Sequence, residues 1–249
     1  MIKLSTSYTL THIPYITDDA LDDYAEQVIR DYNPALLVKP SAFNVEHFAE
    51  HYLKLSVVYN RVLFEKPILG MTAFGDGKLA VESGIIGVVT LLHVRKGTVI
   101  IDPSLLETRN RARRRFTLMH EAAHWLLHQM AFAEDNLFQP GVYENPYMAA
   151  KQGCVDYSRS ERNNTDHERM ERQADFLAAA LLMPKTTLRM AFADYFHSQN
   201  EPARQVVRGR SEADDKHALA LPDYIGARFG VSKRAALIRL EKLNAITKK

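Results

Sequence analysis

"HEAAHWLLH", residues 120–128, sets two histidines four apart, a glutamate directly after the first, and a third histidine four residues further on. On a helix, positions four apart share a face about one turn from each other, so His120 and His124 can aim imidazole nitrogens at a single ion. Glu121 is then placed to take a proton from a metal-bound water rather than to bind the metal. The flanking residues predict this helix over about 109–130, with Phe116, Met119, Ala123, Leu126 and Met130 as an apolar stripe turned away from the histidines. One side is therefore expected in the core and the other at a cleft.

A tetrahedral zinc with an open position needs a third protein ligand. His128 lies two turns from His120 with about 80° of drift, which reads as a surface or cleft-rim histidine rather than a ligand. The extended HExxHxxGxxH pattern is also set aside, because Leu127 stands where its glycine falls. The better candidate is in "ERQADFLAAALLMP", 171–184, where Glu171 and Asp175 are one helical turn apart ahead of an apolar segment. Glu171 would complete a His2Glu site for Zn2+, and Asp175 could accept a hydrogen bond from a ligating imidazole and fix its orientation. Asp166, His167 and Glu168 are nearby competitors for the third position.

Outward from this centre, strand-like runs precede the histidine helix at 55–60, 68–74, 84–94 and 97–102, so a small sheet is expected there. Further upstream, Leu21, Tyr24, Ala25, Val28, Ile29 and Tyr32 recur at helical steps over 18–32, with Thr17 or Asp18 as N-cap. A second helix is expected from Asn44, with Val45, Phe48, Ala49, Tyr52 and Leu53 on one face. Downstream, 131–165 has no clean period and contains "QPGVYENPY", which reads as a long surface excursion able to lie over the cleft. A helix then runs from about 166 to a stop at Pro184. Near the C-terminus, "LPDYIGARFGVSKRAALIRLEKLNAI" reads as two short helices around "FGVS", with Pro222 early in the first and Ser232 capping the second. This segment looks like a helix-turn-helix.

The whole chain sets limits on partners. Its 249 residues carry a net charge of +2, too small to argue for nucleic acid on bulk electrostatics. The basic run "RNRARRR", 109–115, enters the histidine helix, so its arginines are expected in water or paired with neighbouring acids. Cys154 is the only cysteine, which excludes an intrachain disulfide and a thiolate metal cage. The first residues lack the apolar stretch of a signal peptide, and the run 84–94 is about half of the ~20 residues a membrane span needs. A cytoplasmic protein with no membrane partner is expected.

"RRRFTLMHEAAHWLLH", 113–128, resembles the RxxFTxxHExxHxxLH pattern of the ImmA/IrrE family of zinc metallo-endopeptidases. "ERQADFLAAALLMP" is similar to its ExxANxFAxxLLMP, and "VEHFAEHYLKLSVVY" (45–59) and "GTVIID" (97–102) look like its leading helix and edge strand. The resemblance covers roughly residues 40–190. It implies His120, His124 and Glu171 as zinc ligands, Glu121 as general base and Asp175 in support, where the family more often has Asn; Ala123 stands where Gly is frequent. The implied fold is α+β and gluzincin-like, a small, mainly antiparallel sheet packed on the HExxH helix, followed by the helix-turn-helix-like segment.

These readings combine into three segments: a helical scaffold at 1–40, the peptidase at 41–197 and a helical appendage at 198–249. The expected function is an endopeptidase of narrow specificity acting on a protein substrate. The resemblance implies that this substrate is a helix-turn-helix repressor in a bacterial stress or mobile-element switch. His167, Tyr157 and His217 are candidate donors to an oxyanion. The competing expectation is a regulator that binds DNA or protein through its C-terminal helices and keeps zinc for structure; the complete HExxH argues against it, since a structural site has no need of Glu121.

Overall fold

The computed structural model describes residues 4, 6–63, 68–83, 88–132, 149–150 and 166–249. In chain order they form α1 (Asp18–Tyr32), α2 (Val45–His47), β1 (Ser56–Tyr59), β2 (Gly70–Thr72), β3 (Gly77–Glu82), β4 (Val89–Val94), β5 (Thr98–Ile101), α3 (Arg111–Leu127), β6 (Ala149–Ala150), α4 (Asp166–Leu182), α5 (Lys185–Ser198), β7 (Val206–Arg208), α6 (Glu212–Phe229), α7 (Lys233–Lys242) and β8 (Ile246–Lys248). The class is α+β. Most of the excursion expected at 131–165, with Cys154 and Tyr157, lies outside the described residues.

The contacts cluster into two compact units, one holding residues 3–21 and 45–178, the other 22–44 and 179–249. These differ from the three segments at 1–40, 41–197 and 198–249. In the first unit a four-stranded sheet has the order β1-β5-β2-β6. β5 runs parallel to β1, with Ser56 opposite Thr98, and antiparallel to β2, with Gly70 opposite Ile101; β6 pairs antiparallel with β2. "TVII" of β5 is buried at every position, as a β-branched run central to a covered sheet should be. β3 and β4 make a separate hairpin, Gly77 opposite Val94. β3 was not anticipated, because its alternation is weak and partly exposed.

α3 lies against β2 and β5. The helix stops at Leu127, so Met130 falls in a following 3-10 turn and is half exposed instead of extending the apolar stripe. The basic run ahead of it divides: Arg109 pairs with Glu107 at 2.5 Å and Arg114 with Glu46 at 3.5 Å, whereas Arg115 is buried. The helix expected from Asn44 is one α turn followed by a π turn over Phe48–Tyr52. The Leu53 N–H donates to the Phe48 carbonyl across that wider turn, while Val45, Phe48, Ala49 and Leu53 stay buried. α1 follows its periodicity, with Leu21, Tyr24, Ala25, Val28 and Ile29 buried and the Thr17 hydroxyl accepting from Ala20 N–H.

In the second unit α6 begins earlier than expected. Ser211 caps it by accepting from the Asp214 N–H, and Glu212, Asp214 and Asp215 suit the positive end of its dipole. Pro222 therefore lies inside the helix, not near its start. Gly230 ends α6 in the left-handed region at φ 66°, and Ser232 caps α7 through the Ala235 N–H. β7 and β8 pair in parallel, Val206 opposite Ile246, an arrangement that segments of three residues do not announce. No single helix among the described residues is long and apolar enough to cross a membrane.

Two charged contacts organise this unit. Arg239, 1% exposed, is paired with Asp22, 2% exposed, and its Nε donates to the Met183 carbonyl at 3.3 Å. Removing one partner strands the other charge without water, so Arg239→Met should cost about 3–5 kcal/mol in urea unfolding, and Arg239→Met with Asp22→Leu distinctly less. Asp214 accepts from Arg210, Arg204 and the Val207 N–H. Those hydrogen bonds, Arg210 foremost and then Arg204, lower its carboxyl to about 2. A depressed carboxylate stabilises above its unfolded pKa of about 3.9 and stops doing so as pH falls through the folded value. Urea unfolding at pH 5 and pH 2 should therefore show a larger acid loss in wild type than in Asp214→Asn.

Candidate metal centre

α3 and α4 bring the predicted ligands together. His120 Nε2 and His124 Nε2 stand 3.0 Å apart, and Glu171 of α4 reaches both, with Oε2 at 3.3 Å from His120 Nε2 and Oε1 at 3.2 Å from His124 Nε2. Ligands about 2.0–2.1 Å from a tetrahedral ion are separated by roughly 3.3–3.4 Å, so the three side chains need only slight spreading to hold one. These residues form a cluster that could hold a metal ion, as His2Glu donor chemistry requires. Of the nearby competitors, His167 and Glu168 are exposed in the first turn of α4, and Asp166 accepts from Thr11 at 2.7 Å.

The cluster is more enclosed than the sequence suggests. Thr117 through His124 are all buried, so the histidine face of α3 is not an open cleft wall. Burial pushes the His124 imidazole below its usual range, against the attraction of Glu171. Burial alone would raise the Glu171 carboxyl, but His124 and the hydrogen bonds with His120 and His124 outweigh it and hold the group below the usual carboxylate range. A neutral imidazole beside an ionised carboxylate is the protonation that metal binding needs.

His120 Nδ1 donates to Asp175 Oδ1 at 2.7 Å, and this bond leaves the Nε2 lone pair facing the cluster. On the other side of the pair, His128 is fully buried rather than at a surface or rim. Its Nδ1 is 3.0 Å from His124 Nδ1 and its Nε2 is 3.0 Å from Gln173 Oε1. Burial, with the neighbouring His124 adding to it, pushes the His128 imidazole down to about 3 and keeps it neutral. Its position on the helical wheel gave no sign of this, because the enclosing groups come from Gln173 and the N-terminal segment.

Glu121 is held from the sheet. The Thr72 hydroxyl of β2 is 2.9 Å from Glu121 Oε2 and 3.1 Å from the Glu121 carbonyl oxygen, a donor shared between two acceptors. Two residues earlier, a Cβ built on Gly70 would lie 2.7 Å from Thr117 Cγ2 and 2.8 Å from Glu121 Oε1. Neither Thr72 nor Gly70 was anticipated. A glycine inside a strand is the available signal, since it marks a close approach by another element. Trp125 stacks at 5.9 Å on Phe74, which in turn lies 4.3 Å from Phe132 and closes an apolar cluster beside the site. Of the candidate oxyanion donors, His217 lies in the second unit, bonded to Tyr195 and Glu201, and Tyr157 is outside the described residues.

Two imidazoles and a carboxylate are a donor set suited to a metal ion, and similarity to a known family bears on its use. Residues 147–241 match the Peptidase_M78 family model, described as the IrrE N-terminal-like domain, and the match supports an ImmA/IrrE family metallopeptidase. The matched stretch carries Glu171 and Asp175, whereas the helix with His120, Glu121 and His124 lies upstream of it. No curated protein matches the chain.

The crowding at Gly70 makes a direct test of this packing. Gly70→Ala should force Thr117 or Glu121 to shift and lower stability by about 1–3 kcal/mol in urea unfolding, although alanine would otherwise favour a folded strand over glycine.

Proposed function

We propose that the chain is a zinc-dependent endopeptidase of narrow specificity, with His120, His124 and Glu171 as ligands, Glu121 as general base and Asp175 orienting His120. The convergence of His120, His124 and Glu171 within hydrogen-bonding distance, next to a carboxylate on the same helix turn, carries this reading. When bound, the zinc supplies Lewis acidity, polarising a scissile carbonyl and lowering the pKa of its water to about 7. Glu121 would take a proton from the attacking water on its carboxylate and later deliver it to the leaving amine. Thr72 fixes the direction of that carboxylate, and Asp175 keeps the His120 proton on Nδ1.

In this reading residues 41–197 carry the peptidase, flanked by the 1–40 segment and the helical 198–249 segment. The substrate is a protein, and the ImmA/IrrE resemblance points to a helix-turn-helix repressor whose cleavage releases stress or mobile-element genes. A cytoplasmic setting suits such a substrate and a chain with one cysteine. Direct DNA binding by α6 and α7 is not favoured, given a net charge of only +2.

Elemental analysis of chelator-free protein tests the ligand set. Wild type and Glu121→Gln should each hold about one zinc and Glu171→Ala much less, while Glu121→Gln should cut cleavage of a candidate repressor about 10²–10⁴-fold by mass spectrometry. Zinc retained by Glu171→Ala would remove Glu171 as a ligand, and full cleavage by Glu121→Gln would remove Glu121 as the base.

A further inference from the structure

We infer that His128 is a positioning residue, holding His124 in the tautomer whose Nε2 lone pair faces the metal centre through a hydrogen-bond chain that begins at the Pro14 carbonyl. The inference rests on His120, His124 and Glu171 forming that centre. The direction of the chain is fixed at its far end. A peptide carbonyl only accepts, and the Pro14 oxygen lies 2.7 Å from Gln173 Nε2, so the amide nitrogen must face it. Turning the amide over would set two oxygens against each other.

With its nitrogen committed to Pro14, Gln173 presents Oε1 to His128 Nε2 at 3.0 Å. An amide oxygen also only accepts, so His128 carries its proton on Nε2 and, as an uncharged imidazole closed off from water, has its lone pair on Nδ1. That lone pair meets His124 Nδ1 at 3.0 Å. His124 accordingly places its proton on Nδ1 and its lone pair on Nε2, the atom 3.2 Å from Glu171 Oε1. Reversing any link would bury acceptor against acceptor or donor against donor. His124 and His128 are fully buried and Gln173 is 1% exposed, so a reversal would leave groups unsatisfied in a place where water does not reach them.

The chain has a firm anchor. Ile13, beside Pro14, is fully buried in the cluster of Phe74, Phe132 and Met170. The Thr9 N–H donates to the Ile13 carbonyl at 2.8 Å and Thr11 Oγ1 donates to Asp166 Oδ2 at 2.7 Å, which binds this segment to the start of α4. The N-terminal segment thus sets the proton position on a histidine more than a hundred residues away in sequence.

The test uses the full chain, stripped of metal and labelled with 15N, in long-range 1H–15N correlation spectra of the histidine rings. Wild type should show opposite tautomers, with the proton on Nδ1 of His124 and on Nε2 of His128. Gln173→Leu removes the acceptor that orients His128; His124 should then populate both tautomers, and zinc affinity by chelator competition should fall about 10–100-fold. A wild-type His124 protonated on Nε2 overturns the inference without recourse to any variant. So does a Gln173→Leu protein whose His124 tautomer is unchanged and whose zinc affinity stays within about twofold of wild type. Should wild type show the derived tautomers yet take up no zinc, the chain of proton positions stands and the metal reading fails, so the two failures are told apart.

Discussion

Lone pairs that converge in a buried space repel one another and forgo the water that would otherwise solvate them. His120 Nε2, His124 Nε2 and the Glu171 oxygens sit 3.0–3.3 Å apart in such a space, and much of the first unit works to keep them there. A free imidazole could relieve the crowding by moving its proton to Nε2. Each of these is prevented from doing so from behind, His120 by Asp175 and His124 by His128. The site is thus specified by where protons are held on the far side of each ring as much as by which residues face inward.

That requirement accounts for the arrangement of the surrounding elements. α4 supplies the third donor from Glu171, the partner of His120 from Asp175 and the partner of His128 from Gln173 within five consecutive residues. A shift of α4 along α3 would disturb all three contacts together. α4 is tied in turn to residues 11–18, where Pro14 accepts from Gln173, Thr11 donates to Asp166 and Arg172 pairs with Asp18 at 3.1 Å. On the opposite side, Gly70 lets β2 approach α3 closely enough for Thr72 to reach Glu121. Strand and helix therefore pack closely at the Glu121 carboxylate.

The parts of this arrangement legible in the sequence were those set by local geometry. The i, i+4 spacing of His120 and His124, and of Glu171 and Asp175, follows from helical pitch, and their facing positions needed only two amphipathic helices to meet. Thr72, Gln173 and Pro14 were not legible, because each acts through a partner brought from another part of the chain. His128 was misread for the same reason: its angle on the wheel describes its distance from a metal but not the groups that cover it. At the level of the fold, α1 was plain from periodicity and β5 from its β-branched run, whereas the π turn at Phe48–Tyr52 and the early start of α6 depend on packing and on the Ser211 cap.

The two histidines are supported by different chemistry, and charge explains the difference. Glu121, Glu171 and Asp175 already place three carboxylates around the two imidazoles. In the proposed reading a divalent ion would offset two of those charges and leave the third for Glu121, which would take up a proton. Had His124 been oriented by a carboxylate as His120 is, the enclosed site would hold four negative charges against two positive, and buried like charges at such separations raise one another's pKa. Protonation of Glu121 in response would leave a carboxylic acid unable to serve as the proposed base. A neutral imidazole backed by an amide delivers the same proton position without that charge, which is a physical reason for a third histidine at 128 and a glutamine at 173.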